Sequence, residues 1–155
     1  MMSSEKLVLL TRPHPFIVAH MKEFINRIGY VPKPIQALNE LKRFSPANVK
    51  GAVISTAVDT EIEESYEQVF QEVRSVFPKL PVLFATLADV AQMAKALSNS
   101  LSISVPGIKV VTVREIGPLM ADLGTPNVIP LFHLDDIKTF ERAAKVDLLI
   151  RSHFK

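Results

Sequence analysis

The sequence predicts an α/β fold, a three-layer α/β/α sandwich around a mostly parallel, doubly wound sheet of five or six strands. Short apolar or β-branched runs alternate with segments of helical periodicity, as they do where a helix must cross between parallel strands. The runs are apolar on both faces, which suits strands covered from both sides. A length of 155 residues, 48% hydrophobic and 22% charged, suits one globular domain spanning 1–155.

Leu7 to Leu10 reads as a buried strand closed by the prolines at 13 and 15. Ile17, Met21, Phe24/Ile25 and Ile28 recur at helical spacing as far as Gly29, which is placed to stop the helix in the left-handed region. Tyr30-Val31 is expected to be only a stub of strand, because Pro32 and Pro34 cannot donate to a ladder. Ile35 to Phe44 predicts a short amphipathic helix ended by Ser45-Pro46, and Val49 to Val58 the strongest strand of the chain.

Thr60 and Glu63 have capping-box spacing before a helix that carries Ile62, Tyr66, Val69/Phe70, Val73 and Val76 on one face. Leu80 to Thr86 is another buried strand, and Asp89 is the expected cap of the helix carrying Val90, Met93/Ala94 and Leu97. Ser98 to Ser104 shows no clear pattern. Ile108 to Val113 predicts a strand, Glu115 to Leu123 a short helix stopped by Gly124, and Val128 to Phe132 a last strand. The closing helix is expected from about Leu134, with Asp135 and Asp136 in its first turn and Arg151 and Lys155 late.

Composition excludes several functions. A formal charge of +2 and no Lys/Arg cluster denser than Lys42-Arg43 argue against a nucleic-acid partner. With no cysteine there is no disulfide, thiolate metal site or cysteine nucleophile. The start MMSSEK lacks a secretory apolar core and no run is long enough to span a bilayer, so the expected location is the cytoplasm. None of the five glycines follows the first strand as a phosphate cradle would require, and no dinucleotide, P-loop, nucleophile-elbow or zinc-protease motif occurs.

In order and separation, the segments resemble the receiver domain of bacterial two-component response regulators, a flavodoxin-like fold. Pro15 to Gly29-Tyr30 resembles its first helix, Ile35-Gln36-Ala37-Leu38 the start of its second, and AVIST (Ala52 to Thr56) its third strand. LPVLFAT (Leu80 to Thr86) resembles the fourth strand, and Leu131 to Asp136 the approach to the last helix. The likeness covers roughly residues 6 to 90 and the last helix. An excess of about twenty residues is assigned to an inserted strand–helix unit at about 104–124.

The departures from the family fall on its chemistry. A receiver holds Mg²⁺ with an acidic pair after the first strand and an acceptor Asp, because a hard dication requires oxygen ligands. Here the acidic pair falls on Arg12-Pro13, the acceptor on Thr56 (or Ser55, one register away), and the family's lysine near Pro130. Only Thr86 remains, at the position of the hydroxyl that in the family senses the phosphoryl group. The resemblance therefore implies a pseudo-receiver, since phosphoryl transfer depends on positioning and charge neutralisation.

Arg12 has two readings: a charge that binds an anion or replaces the cation, or a surface arginine paired with Asp59 or Asp89. With no glycine-rich turn beside it, the second is the expectation. Ser55, Thr56 and Thr86 are expected to satisfy loop backbone groups rather than a ligand. Asp59 would be a phosphorylation site only after a register shift and reads instead as a helix cap. His14 and His133, both at strand-to-helix joints, could face one another across the sheet. With no i, i+4 ligand spacing, these and the scattered His20 and His153 are expected to be solvated or hydrogen-bonded. Lys109 is an ordinary strand-end lysine or a stand-in for the family's lysine.

These readings predict a non-catalytic, receiver-like signalling module. It would act through a protein partner, either another signalling protein or an output domain, or as a homodimer. The alternative is a small-molecule or nucleotide-binding α/β domain that uses Arg12, His14, Ser55, Thr56 and Thr86. No catalytic set assembles from neighbouring positions, and no cofactor, metal, nucleic-acid or membrane partner is expected.

Overall fold

The computed structural model describes residues 6–12, 14–57, 62–113, 121–138 and 140–154. Its strands are β1 (Leu7–Arg12), β2 (Val31–Pro34), β3 (Val49–Ser55), β4 (Val82–Thr86), β5 (Lys109–Thr112) and β6 (Val128–His133). Its α-helices are α1 (Pro15–Arg27), α2 (Tyr66–Val76), α3 (Val90–Ser104) and α4 (Phe140–His153). Every strand pair is parallel, in the order β2-β1-β3-β4-β6-β5. This is the doubly wound flavodoxin-like order with β6 in the last of its five places. β5 lies outside it, as a sixth strand on the far edge.

The sheet alternates its side chains between two cores. Leu7, Leu9, Ala52, Ile54, Val82, Phe84, Ile129 and Leu131 face α2, α3 and a 3-10 helix over Leu38–Arg43. Val8, Leu10, Val53, Leu83, Ala85 and Phe132 face α1 and α4. Gly29 does end α1 at positive φ (100°). Among the described residues no helix is long and apolar enough to cross a membrane.

Several local expectations are corrected. β2 runs on to Pro34, because Val31 and Ile35 donate inward to the carbonyls of Lys6 and Leu10 (2.8 and 3.1 Å). Pro32 and Pro34 fall on the alternate positions of this edge strand, where no inward donor is required. The helix expected over Ile35 to Phe44 tightens to the 3-10 helix, closed by Phe44 N–H on the Leu41 carbonyl. Its start is held by Glu40, whose carboxylate accepts from Gln36 N and Ala37 N.

The capping box of α2 is Ser65 with Gln68, not Thr60 with Glu63: Ser65 Oγ accepts from Gln68 N, and Gln68 Oε1 from Ser65 N. Ile62 is buried in the core before the helix begins, so the turn must follow it. Residues 58–61, with Thr60 and Asp59, lie outside the described residues, and so do 114–120, where the short helix was expected. α3 continues through the serine-rich stretch because Leu97 and Leu101 are buried four residues apart. Ser100 and Ser102 hydroxyls donate to carbonyls four residues back within it. The closing segment begins with a 3-10 turn, Leu134–Ile137, before α4.

The end of α4 locks the amino edge of the sheet. A Cβ on Gly51 would lie 2.1–2.5 Å from the Phe154 ring, so glycine in this central strand is what lets the ring lie on β3. The Tyr30 hydroxyl donates to the Phe154 carbonyl (2.7 Å). Fully buried His153 accepts the Gly124 N–H at Nδ1 (2.9 Å), and its Nε2–H donates to the Val82 carbonyl (3.0 Å).

Burial lowers the His153 pKa from 6.5 to about 4, with the Val82 carbonyl a smaller opposing influence. Between those values the unfolded chain binds a proton that the folded chain refuses. Stability is therefore full above pH 6.5 and falls as the pH drops toward 4. The expected loss is about 3 kcal/mol at the acid end. Urea unfolding across this range checks it: His153→Gln, which keeps a donor and an acceptor, should flatten the curve between about pH 5 and 6.5. An unchanged slope would contradict the assignment.

Candidate functional site

Four strands end side by side at the carboxyl edge, at Arg12 (β1), Ser55 (β3), Thr86 (β4) and His133 (β6). The register places Ser55 beside Ala85 and Thr86 beside His133. Arg12, Ser55, Thr56 and Thr86, separated by up to seventy-four residues of sequence (86 − 12), are brought to one corner.

Arg12 is buried, with 6% of its surface exposed. Its Nε–H donates to the Glu64 carbonyl (3.0 Å), and its Nη1 donates to the carbonyls of Ser55 (2.8 Å) and Ala57. Burial lowers the guanidinium pKa, while the fields of Glu67 and Tyr66 oppose that shift. The surface arginine paired with a carboxylate is thus corrected. The guanidinium instead clamps the carbonyl that ends β3 and two carbonyls of the loop between β3 and α2, a match for its planar fork of donors. Asp89, its other expected partner, caps α3 by accepting Gln92 N–H (2.9 Å).

The hydroxyls satisfy one another and the backbone. Thr56 Oγ1 donates to Thr86 Oγ1 (2.8 Å), which also accepts Ala88 N–H (3.0 Å). Ser55 Oγ accepts Ala57 N–H, and Thr11 Oγ1 donates to the Val53 carbonyl. Among the described residues none of these four hydroxyls is bonded to a carboxylate or imidazole, so none has a base to make it a nucleophile.

His14 follows β1 and His133 ends β6, strands that are not neighbours. β1 and β6 are three strand spacings apart, about 14 Å. The His133 ring is occupied: Nδ1 accepts Asp135 N–H (3.0 Å) and Nε2–H donates to the Leu87 carbonyl (3.1 Å). His14 is half-buried beyond β1, where its carbonyl accepts Val18 N–H. Pro130 lies within β6 opposite Val111, three residues short of the edge. Lys109 opens β5, so in a parallel sheet it stands at the amino edge and is no stand-in for a carboxyl-edge lysine. Pro13 and Asp59 lie outside the described residues.

The cavity touching Arg12 and Ser55 is about 10 Å³, the size of a single water. A larger cleft of about 540 Å³ opens at the opposite, amino edge. Sequence reasoning missed it because its walls come from loop prolines and strand starts, which carry no motif.

No family model and no curated protein matches the sequence. Among solved structures the chain is similar to a response regulator receiver protein from Sinorhizobium medicae WSM419, at 13% identity and a TM-score of 0.54. The match covers 97% of this chain and 94% of that one. The chain has the receiver fold. Within this receiver-like fold, Arg12 closes β1 and Thr56 directly follows β3.

Proposed function

We propose that this chain is a non-catalytic, receiver-like signalling module working through contact with a protein partner, its phosphoryl chemistry replaced by a fixed guanidinium. The observation that carries this reading is the Arg12 clamp on the carbonyls of Ser55, Ala57 and Glu64. A cation already sits on the loop at the strand mouth, so Mg²⁺ approaching it meets like charge and fewer free oxygens. Thr56, bonded to another hydroxyl, offers no activated acceptor.

The partner surface in this reading is the outer face of α4, where Leu148 is 59% exposed, together with the unit inserted around β5. A second copy of the chain would use the same face. A cytoplasmic setting suits the cysteine-free sequence. The corner as an anion or nucleotide site has less support, because the donors of Arg12 and Thr56 described above are engaged by protein acceptors.

Incubation with Mg²⁺ and acetyl phosphate followed by intact mass is the test. The expected spectrum shows no covalent gain. Stoichiometric, metal-dependent phosphorylation, at Asp59 or anywhere else, would overturn the reading.

A further inference from the structure

The cleft at the amino edge lies between the starts of β3 and β4, the end of α2, and the segment before β6. Its volume of about 540 Å³ is within the range of sites that enclose small organic molecules. The walls are preformed: Pro46 stiffens the loop before β3, and Pro78 and Pro81 stiffen the loop between α2 and β4. Leu80 N–H on the Phe77 carbonyl (3.1 Å) closes the turn after α2.

The chemistry of the lining is one-sided. Val49, Val76, Phe77, Leu80 and Leu123 supply apolar surface, and Lys50 and Lys79 are the charged residues among those lining it, with no carboxylate. Neither lysine has an ion-pair partner among the described residues. His153, which also lines the cleft, has both ring nitrogens engaged, by Gly124 N–H and the Val82 carbonyl, and so adds neither charge nor a free acceptor. An apolar cleft flanked by two cations with no ion-pair partner among the described residues favours a ligand with an apolar body and one anionic end.

We infer that the amino-edge cleft binds a small apolar carboxylate, its hydrocarbon or aromatic part against Val76, Phe77 and Leu123 and its anionic group at Lys50 and Lys79. The site is separate from the carboxyl-edge corner and does not depend on the function proposed for it. It joins α2, the segment before β6 and the end of α4, so an occupant stabilises their mutual packing by mass action.

The test is an amide NMR titration of the full chain with hexanoate, octanoate and phenylbutyrate, each beside its alcohol and amine counterpart. The carboxylates should bind saturably, with shifts at Lys50, Lys79, Leu123 and Gly124 and none at Arg12, Thr56 or Thr86. The Lys50→Met/Lys79→Met double variant should weaken them about tenfold. Val76→Trp, which fills the chamber, should abolish binding while the rest of the spectrum stays folded. Equal binding of alcohol and carboxylate, shifts elsewhere, binding that survives Val76→Trp, or no saturable binding by any carboxylate would each overturn the inference.

Discussion

Replacing Phe154 by alanine is expected to lower the unfolding free energy by about 4 kcal/mol, read from urea denaturation with an unchanged m-value. The ring is fully buried, lies on β3 at Gly51 and stands edge-on to Tyr30 with centroids 6.4 Å apart. Gly51→Ala attacks the same contact from the other side, since its new methyl would fall 2.1 Å from a ring carbon. It should cost about 3 kcal/mol, the upper part of the overpacking range. The double variant decides whether these are one contact. Alanine at 51 fits the space that the ring vacates, so the combined loss should fall well short of the sum. Strict additivity would mean that Gly51 is glycine for another reason.

Arg12→Met is expected to cost a similar amount, about 4 kcal/mol, because three hydrogen bonds from a buried charged donor are lost, one of them to the buried Ser55 carbonyl. Arg12→Lys should recover only a minor part, since an ammonium on a flexible stem cannot span three carbonyls as a planar guanidinium does. Hydrogen exchange separates this from general weakening. The amides of Ala57 and residues 62–65 should lose protection beyond the global change, while those of β4 follow it. A Met variant within about 1 kcal/mol of wild type would show the clamp to be incidental.

Much of the architecture was legible because it rests on local chemistry. Apolar runs such as Leu7 to Leu10, Leu80 to Thr86 and Val128 to Phe132 mark strands, and Gly29 marks a helix stop. What could not be read depends on partners far away in sequence. The two hydroxyl–Glu/Gln spacings at Thr60 and Ser65 are equivalent on paper, and burial of Ile62 decides where helix α2 begins. Pro32 and Pro34 argue against a strand until β2 is known to be an edge strand with its proline positions facing outward.

The candidate site was legible as a set of positions but not as a set of bonds. That Arg12 stands at the end of the first strand can be read directly. That it reaches the Ser55, Ala57 and Glu64 carbonyls cannot, because backbone acceptors leave no trace in residue identity. The amino-edge cleft was invisible for a related reason: Val49, Phe77, Leu123 and His153 converge only through the sheet order.

The most direct measurement is an amide NMR titration of the unmodified chain with Mg²⁺ and beryllofluoride. With Arg12 seated on its carbonyls, the expected result is no saturable shift at Arg12, Ser55, Thr56, Ala57 or Thr86. Saturable, metal-dependent shifts confined to those residues would show that the corner still gathers a dication and a phosphoryl mimic, and the guanidinium would then be no replacement for either.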